Sequence, residues 1–480
     1  MKIKLIATLM VSLTTGCSLT ACGGGGTTVQ PAEPTPPSTW SLTKMTSGGS
    51  VRSYTTACGS YDIVAKGDLN GDGNDDFVLG PKANYNPAKG CADPGFTKLI
   101  VAFYDPTSKT YKQYDSVQSV MPEMQWASVA TIGDFNNDGY SDIFAAGTGT
   151  DYGQPCGEAP VLVLGSASGF VDKSYLLPRF SMYTHQAAWS DFNGDGKTDF
   201  ALINNNWVPT NVSDPKQAEC SYRKFAGSNE SYMVLSSGDN WTHTALRVND
   251  NNGNVLIDGN QSYNSAFASD VDQDGKSDMV IIGSNWGSIA QQAITLKGQG
   301  NGSFVFDSKF TETPFGSDTV ASNISMRQLD TTAPLEMVIN YTKHPDGQAM
   351  PFQNSVYRVF RYNASTWSNV TDLFLTNKTS VTETDLTYCA RLYWVDINSD
   401  GKDDFVCSSM NSPSTDNIDA LSPRIWLRTA DNKFEPAYHS GFSIVGAMSN
   451  MTPVYVDGKL KIVGIRNANF GAEIQINIAE

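Results

Sequence analysis

Basic residues and histidine are scarce in this 480-residue chain: Lys and Arg total 33 against 49 Asp and Glu, with only 4 His. A formal net charge of −16 provides no basic face for a phosphate backbone, which excludes nucleic acid as a main partner. Charged residues make up only 17% and aromatics 11%, a balance unlike that of coiled coils or charged disordered chains. After the first 22 residues no apolar run reaches the roughly 18 residues of a membrane-spanning helix. Beyond the first 22 residues the chain has no C-x₂₋₄-C pair, and it has no HExxH, G-x-S-x-G elbow or P-loop, so the common zinc, serine-hydrolase and nucleotide motifs are missing.

What is present begins with an address. Lys2 and Lys4 precede an apolar run from Leu5 to Val11, the pattern of a secretory signal. Leu19-Thr20-Ala21-Cys22 resembles a bacterial lipobox, which implies a signal peptide at 1–21 and acylation of Cys22. Cys17 is the competing position, but Thr14 stands where that motif prefers Leu. Gly23–Gly26 and then Pro31, Pro34, Pro36 and Pro37 make 22–38 a tether, flexible first and stiffer later. Gly23 after the acylated cysteine points to the outer membrane, on its periplasmic side or at the cell surface, with the lipid as the only membrane contact. Six further cysteines (Cys58, Cys91, Cys156, Cys220, Cys389, Cys407) would then meet an oxidising compartment, and their even number permits three disulfides.

One signature repeats through the body, D-x-[ND]-x-D-G-x-x-D. It occurs as Asp68–Asp76, Asp134–Asp142, Asp191–Asp199, Asp270–Asp278 and Asp396–Asp404, at intervals of 66, 57, 79 and 126 residues. The last interval hides one degenerate unit, Gln328-Leu329-Asp330 followed by Glu336–Asn340, and a shortened seventh follows around Asp457-Gly458. Each unit has a short apolar segment on either side of the loop, then a hairpin whose second strand opens on an aromatic such as Phe170, Trp241, Phe304 or Phe434. Four antiparallel strands repeated seven times predict an all-β fold, a seven-bladed β-propeller over 39–480. The last unit stops at its third strand, near Ala472–Ile478. Because Ser38-Thr39-Trp40-Ser41 resembles Ser365-Thr366-Trp367-Ser368, residues 39–46 are expected to supply the missing strand and close the ring.

The loops offer oxygen. Positions one, three, five and nine carry side-chain oxygens, position seven a carbonyl, and the glycine at six allows the sharp turn. The candidate ligands are Asp68, Asn70, Asp72, Asn74 and Asp76; Asp134, Asn136, Asp138, Tyr140 and Asp142; Asp191, Asn193, Asp195, Lys197 and Asp199. Blade four adds Asp270, Asp272, Asp274, Lys276 and Asp278, and blade six Asp396, Asn398, Asp400, Lys402 and Asp404. Clustered carboxylate oxygen in a flexible cage is Ca²⁺ chemistry, so about five mainly structural ions are expected. An EF-hand is excluded because position twelve holds Leu79, Ala145, Leu202, Ile281 or Cys407 rather than Glu.

These loops and their strand-like flanks resemble FG-GAP/VCBS repeats, the repeat of the integrin α-subunit propeller. The resemblance implies Ca²⁺ loops on one face between the first two strands of a blade, with ligands binding the opposite face. On that face Cys58–Cys91, Cys156–Cys220 and Cys389–Cys407 are plausible bridges, and Tyr85, Tyr152, Trp207 and Trp286 are candidate ligand contacts. The expected function is a monomeric binding or adhesion module for a glycan or protein, with no catalytic residues assigned. A polysaccharide lyase or hydrolase and an envelope scaffold are the alternatives.

Overall fold

The computed structural model describes residues 45–54, 59–83, 95–150, 156–205, 224–238, 240–257, 263–283, 292–330, 335–343, 353–375, 391–408, 424–437, 449–468 and 473–479. Their strands form seven four-stranded antiparallel sheets, the blades of a propeller. Blade one comprises Gly59–Gly67, Asp76–Ala83, Ile100–Asp105 and Thr110–Lys112; blade two, Ala127–Gly133, Asp142–Gly147, Val161–Leu164 and Val171–Asp172. Blade three is Gln186–Ser190, Asp199–Ile203, Tyr232–Ser237 and Asn240–Ala245; blade four, Tyr263–Ser269, Asp278–Gly283, Gln292–Gly298 and Phe304–Thr311. Blade five is Thr319–Arg327, Glu336–Lys343, Gln353–Asn363 and Thr366–Asn369; blade six, Arg391–Val395, Asp404–Ser408, Arg424–Arg428 and Phe434–Ala437.

The apolar cores lie between blades. One joins Phe144 and Leu162 of blade two to Phe200 and Val234 of blade three, where Phe144 stacks on Phe200 at 4.1 Å. Another joins Val78 and Val101 of blade one to Ala130 and Ile143 of blade two. Each second strand is therefore covered on both faces. That is why Asp142–Gly147 and Asp278–Gly283 are buried throughout and read as continuous apolar runs, not as alternation.

The ring closes through the N-terminal segment, at a different place from the one expected. Ser449–Val456, Lys459–Ala468 and Glu473–Ala479 are completed by Met45–Arg52, which pairs Thr46 with Ile478 and Val51 with Ile474. This strand overlaps the anticipated 39–46 only at Met45 and Thr46; residues 39–44 lie outside the described ones. Within the described strand the anchor is Val51, buried in a core with Ile474, Ile476 and Tyr111. A register shift between Ser47 and Ser50 bends the strand, and Gly49 at φ +102° passes where a Cβ would come 2.7 Å from the Tyr111 carbonyl oxygen. The shortened seventh loop is a two-residue turn, Asp457-Gly458, with φ of 52° and 68°.

Candidate metal loops and a cationic recess

The five acidic loops share one backbone design. Position four takes a left-handed φ in every copy: Gly71 at 75°, Asn137 at 61°, Gly194 at 78°, Gln273 at 62° and Ser399 at 59°. Position six does the same and is always glycine. This path folds the amides onto the carboxylates. In blade one, Asp68 Oδ1 accepts from the N–H groups of Gly71 (2.7 Å) and Asp72 (3.1 Å), and Oδ2 from Gly73 (2.9 Å). Asn70 Oδ1 accepts from the Asp72 N–H, and Asp72 Oδ1 from that of Asn74. The equivalent bonds recur around Asp134, Asp191, Asp270 and Asp396. In blade four, carboxylate oxygens of Asp270, Asp272 and Asp278 all lie within 4.8 Å of one another, a spacing that fits one shared cation at about 2.4 Å from each.

Position nine has a second task that the sequence reading missed. Asp76 is fully buried; its Oδ2 accepts the Leu69 N–H of its own loop and its Oδ1 the Tyr104 N–H of the third strand, both at 2.9 Å. Asp142 holds Phe135 and Gly165, Asp199 holds Phe192 and Ser236, Asp278 holds Val271 and Gly298, and Asp404 holds Ile397 and Arg428. Burial outweighs these donors. It pushes the carboxyls of Asp76 and Asp142 up to about 7 and those of Asp199, Asp278 and Asp404 up to about 6. Each carboxylate oxygen has two lone pairs, so the N–H bonds leave capacity for an ion.

Neighbouring loops touch. Ser141 Oγ donates to the Asp68 carbonyl at 2.7 Å, Asn137 Nδ2 to the Gly196 carbonyl at 2.8 Å, and Ser190 and Ser277 share a 2.6 Å hydroxyl bond. Blade one is strapped to blade seven by the Asp457 N–H on Asn74 Oδ1 and by reciprocal bonds between Asp75 and Tyr455.

In blade five residues 331–334 of the degenerate loop lie outside the described ones, but its position-nine anchor is retained. Glu336 stands at position nine, fully buried, with Oε2 accepting from the Leu329 N–H at 2.8 Å. Its Oε1 meets the Arg361 guanidinium instead of a third-strand amide.

On the face opposite the loops, the expected ligand residues Tyr85, Tyr152, Trp207 and Trp286 lie outside the described residues, as do Cys22, Cys58, Cys91, Cys220 and Cys389. Cys156 and Cys407 are each disulfide-bonded. That face holds a recess of about 370 Å³ between blades one and two, lined by Lys98, Arg179, Lys224, Phe96, Phe225 and Glu158, among others. Arg179 lies 4.2 Å over the Phe225 ring and Lys224 4.3 Å over Phe96. Lys224 pairs with Glu123 at 3.0 Å. Lys98 donates to the carbonyls of Gln118 and Ser119, and Arg179 Nη1 to those of Ser174 and Pro160; Asp172 lines the same recess and acts electrostatically on Arg179. Glu158 is buried behind them. It accepts the N–H groups of Gln125 (2.7 Å), Trp126 (3.0 Å) and Gly149 (3.3 Å), and burial raises its carboxyl to about 7.

The fold and its loops thus define a repeat propeller with acidic hairpins on one face. A family model of the FG-GAP-like repeat matches residues 134–202, from the first acid of loop two into the second strand of blade three. The chain is a seven-bladed β-propeller that carries an FG-GAP-like repeat at residues 134–202. No curated protein matches it in sequence. Among solved structures it is similar to a protein from Lactobacillus plantarum, at 9% identity over 78% of this chain and 83% of that one, TM-score 0.41. It is also similar to a mutant NanB sialidase from Streptococcus pneumoniae, at 10% identity over 90% and 70%, TM-score 0.42. Likenesses this distant carry nothing about function.

Proposed function

We propose that this chain is a calcium-stabilised, lipid-anchored propeller of the bacterial envelope, a binding module for a glycan or protein ligand. The observation that supports it is the fivefold repetition of one preorganised acidic loop, too regular in spacing and backbone to serve only as a turn. Ca²⁺ would be held by the acids at positions one, five and nine with the Asn or Asp at position three, and would offset the repulsion among the acids. The ligand face is the one opposite, and its recess favours an anionic partner: Arg179 and Lys98 bring half-buried positive charge into a chain of net charge −16. The enzyme alternative gains nothing from Glu158, which is buried and held by three backbone N–H groups.

The test uses the Ca²⁺-loaded protein on an array of acidic and neutral glycans, with a reducing-sugar assay on the same material. Binding to acidic glycans that weakens about tenfold in Arg179→Gln, without release of reducing ends, is the expected result. Turnover would replace the binding reading with the enzymatic one.

A further inference from the structure

The loops of blades one to six all span nine residues, Gln328–Glu336 of blade five included. A single third-strand position distinguishes them. Extending the strand registers by one residue, position nine faces Phe103 in blade one, Leu164 in blade two, Leu235 in blade three and Leu427 in blade six. In blade four the facing residue is Lys297, and in blade five it is Arg361. Both cations reach into their loops. Lys297 Nζ lies 2.8 Å from Asp272 Oδ2, at position three, and 3.5 Å from Asp307 Oδ1. Arg361 donates through Nε (3.0 Å) and Nη2 (2.7 Å) to Glu336 Oε1, and Nη2 also reaches Asp330 Oδ2 at 3.2 Å.

The acids change in step. Blades one, two, three and six have three acids at the ligand positions, Asn at position three and an apolar facing residue. Among the five intact loops, blade four alone has Asp at position three, a fourth acid, and among the described residues it alone has an ammonium against that position. Blade five has lost the acids at positions one and five, to Gln328 and Thr332, and retains two, both held by the guanidinium.

We propose that this third-strand position sets the cation of each loop: apolar residues leave the cage to a divalent ion, Lys297 brings blade four to the charge of its neighbours, and Arg361 replaces the ion in blade five. A planar guanidinium suits the replacement, because two of its N–H groups converge on Glu336 Oε1 while one of them also reaches Asp330. The divalent part rests on the calcium reading above; the role of Arg361 does not.

The experiment combines native mass spectrometry for ion count with melts in Ca²⁺ and in EDTA. Arg361→Met is expected to lower the melting temperature by roughly 5 °C or more in both buffers, since it strands a buried carboxylate that Ca²⁺ cannot rescue. Arg361→Lys should recover part of the loss. The triple variant Gln328→Asp, Thr332→Asp, Arg361→Leu rebuilds the acidic loop and should bind one more Ca²⁺ than the wild type. Lys297→Met should tighten one site about tenfold. An Arg361→Met protein that melts like the wild type in both buffers, or a triple variant with an unchanged ion count, overturns the proposal. If Arg361→Met does not fold, the ion count of the triple variant decides. A wild type that binds no Ca²⁺ defeats the calcium reading, while the EDTA melts still judge Arg361.

Discussion

The glycine at position six of each loop is a conformational requirement with no packing component. Gly139 has φ 87°, and a Cβ built there would meet nothing within 4 Å. Gly139→Ala should therefore cost about 1–2 kcal/mol, the left-handed penalty alone, read as a shift in denaturation midpoint with unchanged slope. Gln273 and Ser399 show that position four tolerates a side chain in the same region, so loop geometry rests more heavily on position six. Glu158 yields a pH prediction. Its carboxyl is raised from 4.5 to about 7, so the folded protein binds the extra proton between those values. Stability then falls as pH rises from about 4.5 to about 7, by roughly 3 kcal/mol from this group. Glu158→Gln should flatten that slope in denaturant titrations at pH 5 and 7; an unchanged slope would mean that Glu158 stays ionised throughout.

At the scale of the element, the acids of one loop divide into two tasks that mutation can separate. Asp138 at position five touches only its own loop, accepting the Tyr140 N–H at 3.0 Å, whereas Asp142 at position nine ties the loop to the third strand. Asp142→Ala should cost about 1–3 kcal/mol for each orphaned N–H even in EDTA, while Asp138→Ala should matter mainly in the presence of Ca²⁺. Equal effects of both in both buffers would contradict the division. This also explains which parts of the site were legible in the sequence. The recurring acids were readable because they keep one fixed spacing within nine residues. The anchoring role of Asp142 was not, because its Oδ1 partner, Gly165, lies 23 residues away on another strand. Blade five looked like a loop that had lost its consensus, since Arg361 comes from 25 residues beyond Glu336 and no local pattern announces it.

At the scale of the molecule, the acid excess and the closed ring are connected. Sixteen of the acids stand at candidate ligand positions in five loops; the loops of blades one to four are joined edge to edge through Ser141, Asn137 and Ser190, and Asn74 continues the contact to the turn of blade seven. Removing divalent ions should therefore lower the melting temperature cooperatively, and added Ca²⁺ should restore it; a melt unchanged after verified metal removal would reduce the loops to turns. The ring depends equally on its seam. Glu473–Ala479 would present an unpaired edge if Met45–Arg52 were lost, and Val51 would leave a gap beside Tyr111 and Ile476. Seven blades were readable because each needs its own hairpin signals, but the bounds of the seam strand were not, because its described part is seated by one buried Val and a glycine bend that no repeated pattern announces. Two truncations separate the alternatives. A chain beginning at Met45 should fold with the melting temperature of the full-length protein, and one beginning at Ser53 should aggregate or melt far lower. Equal loss in both would place the closing contacts upstream of Met45, where Trp40 stands.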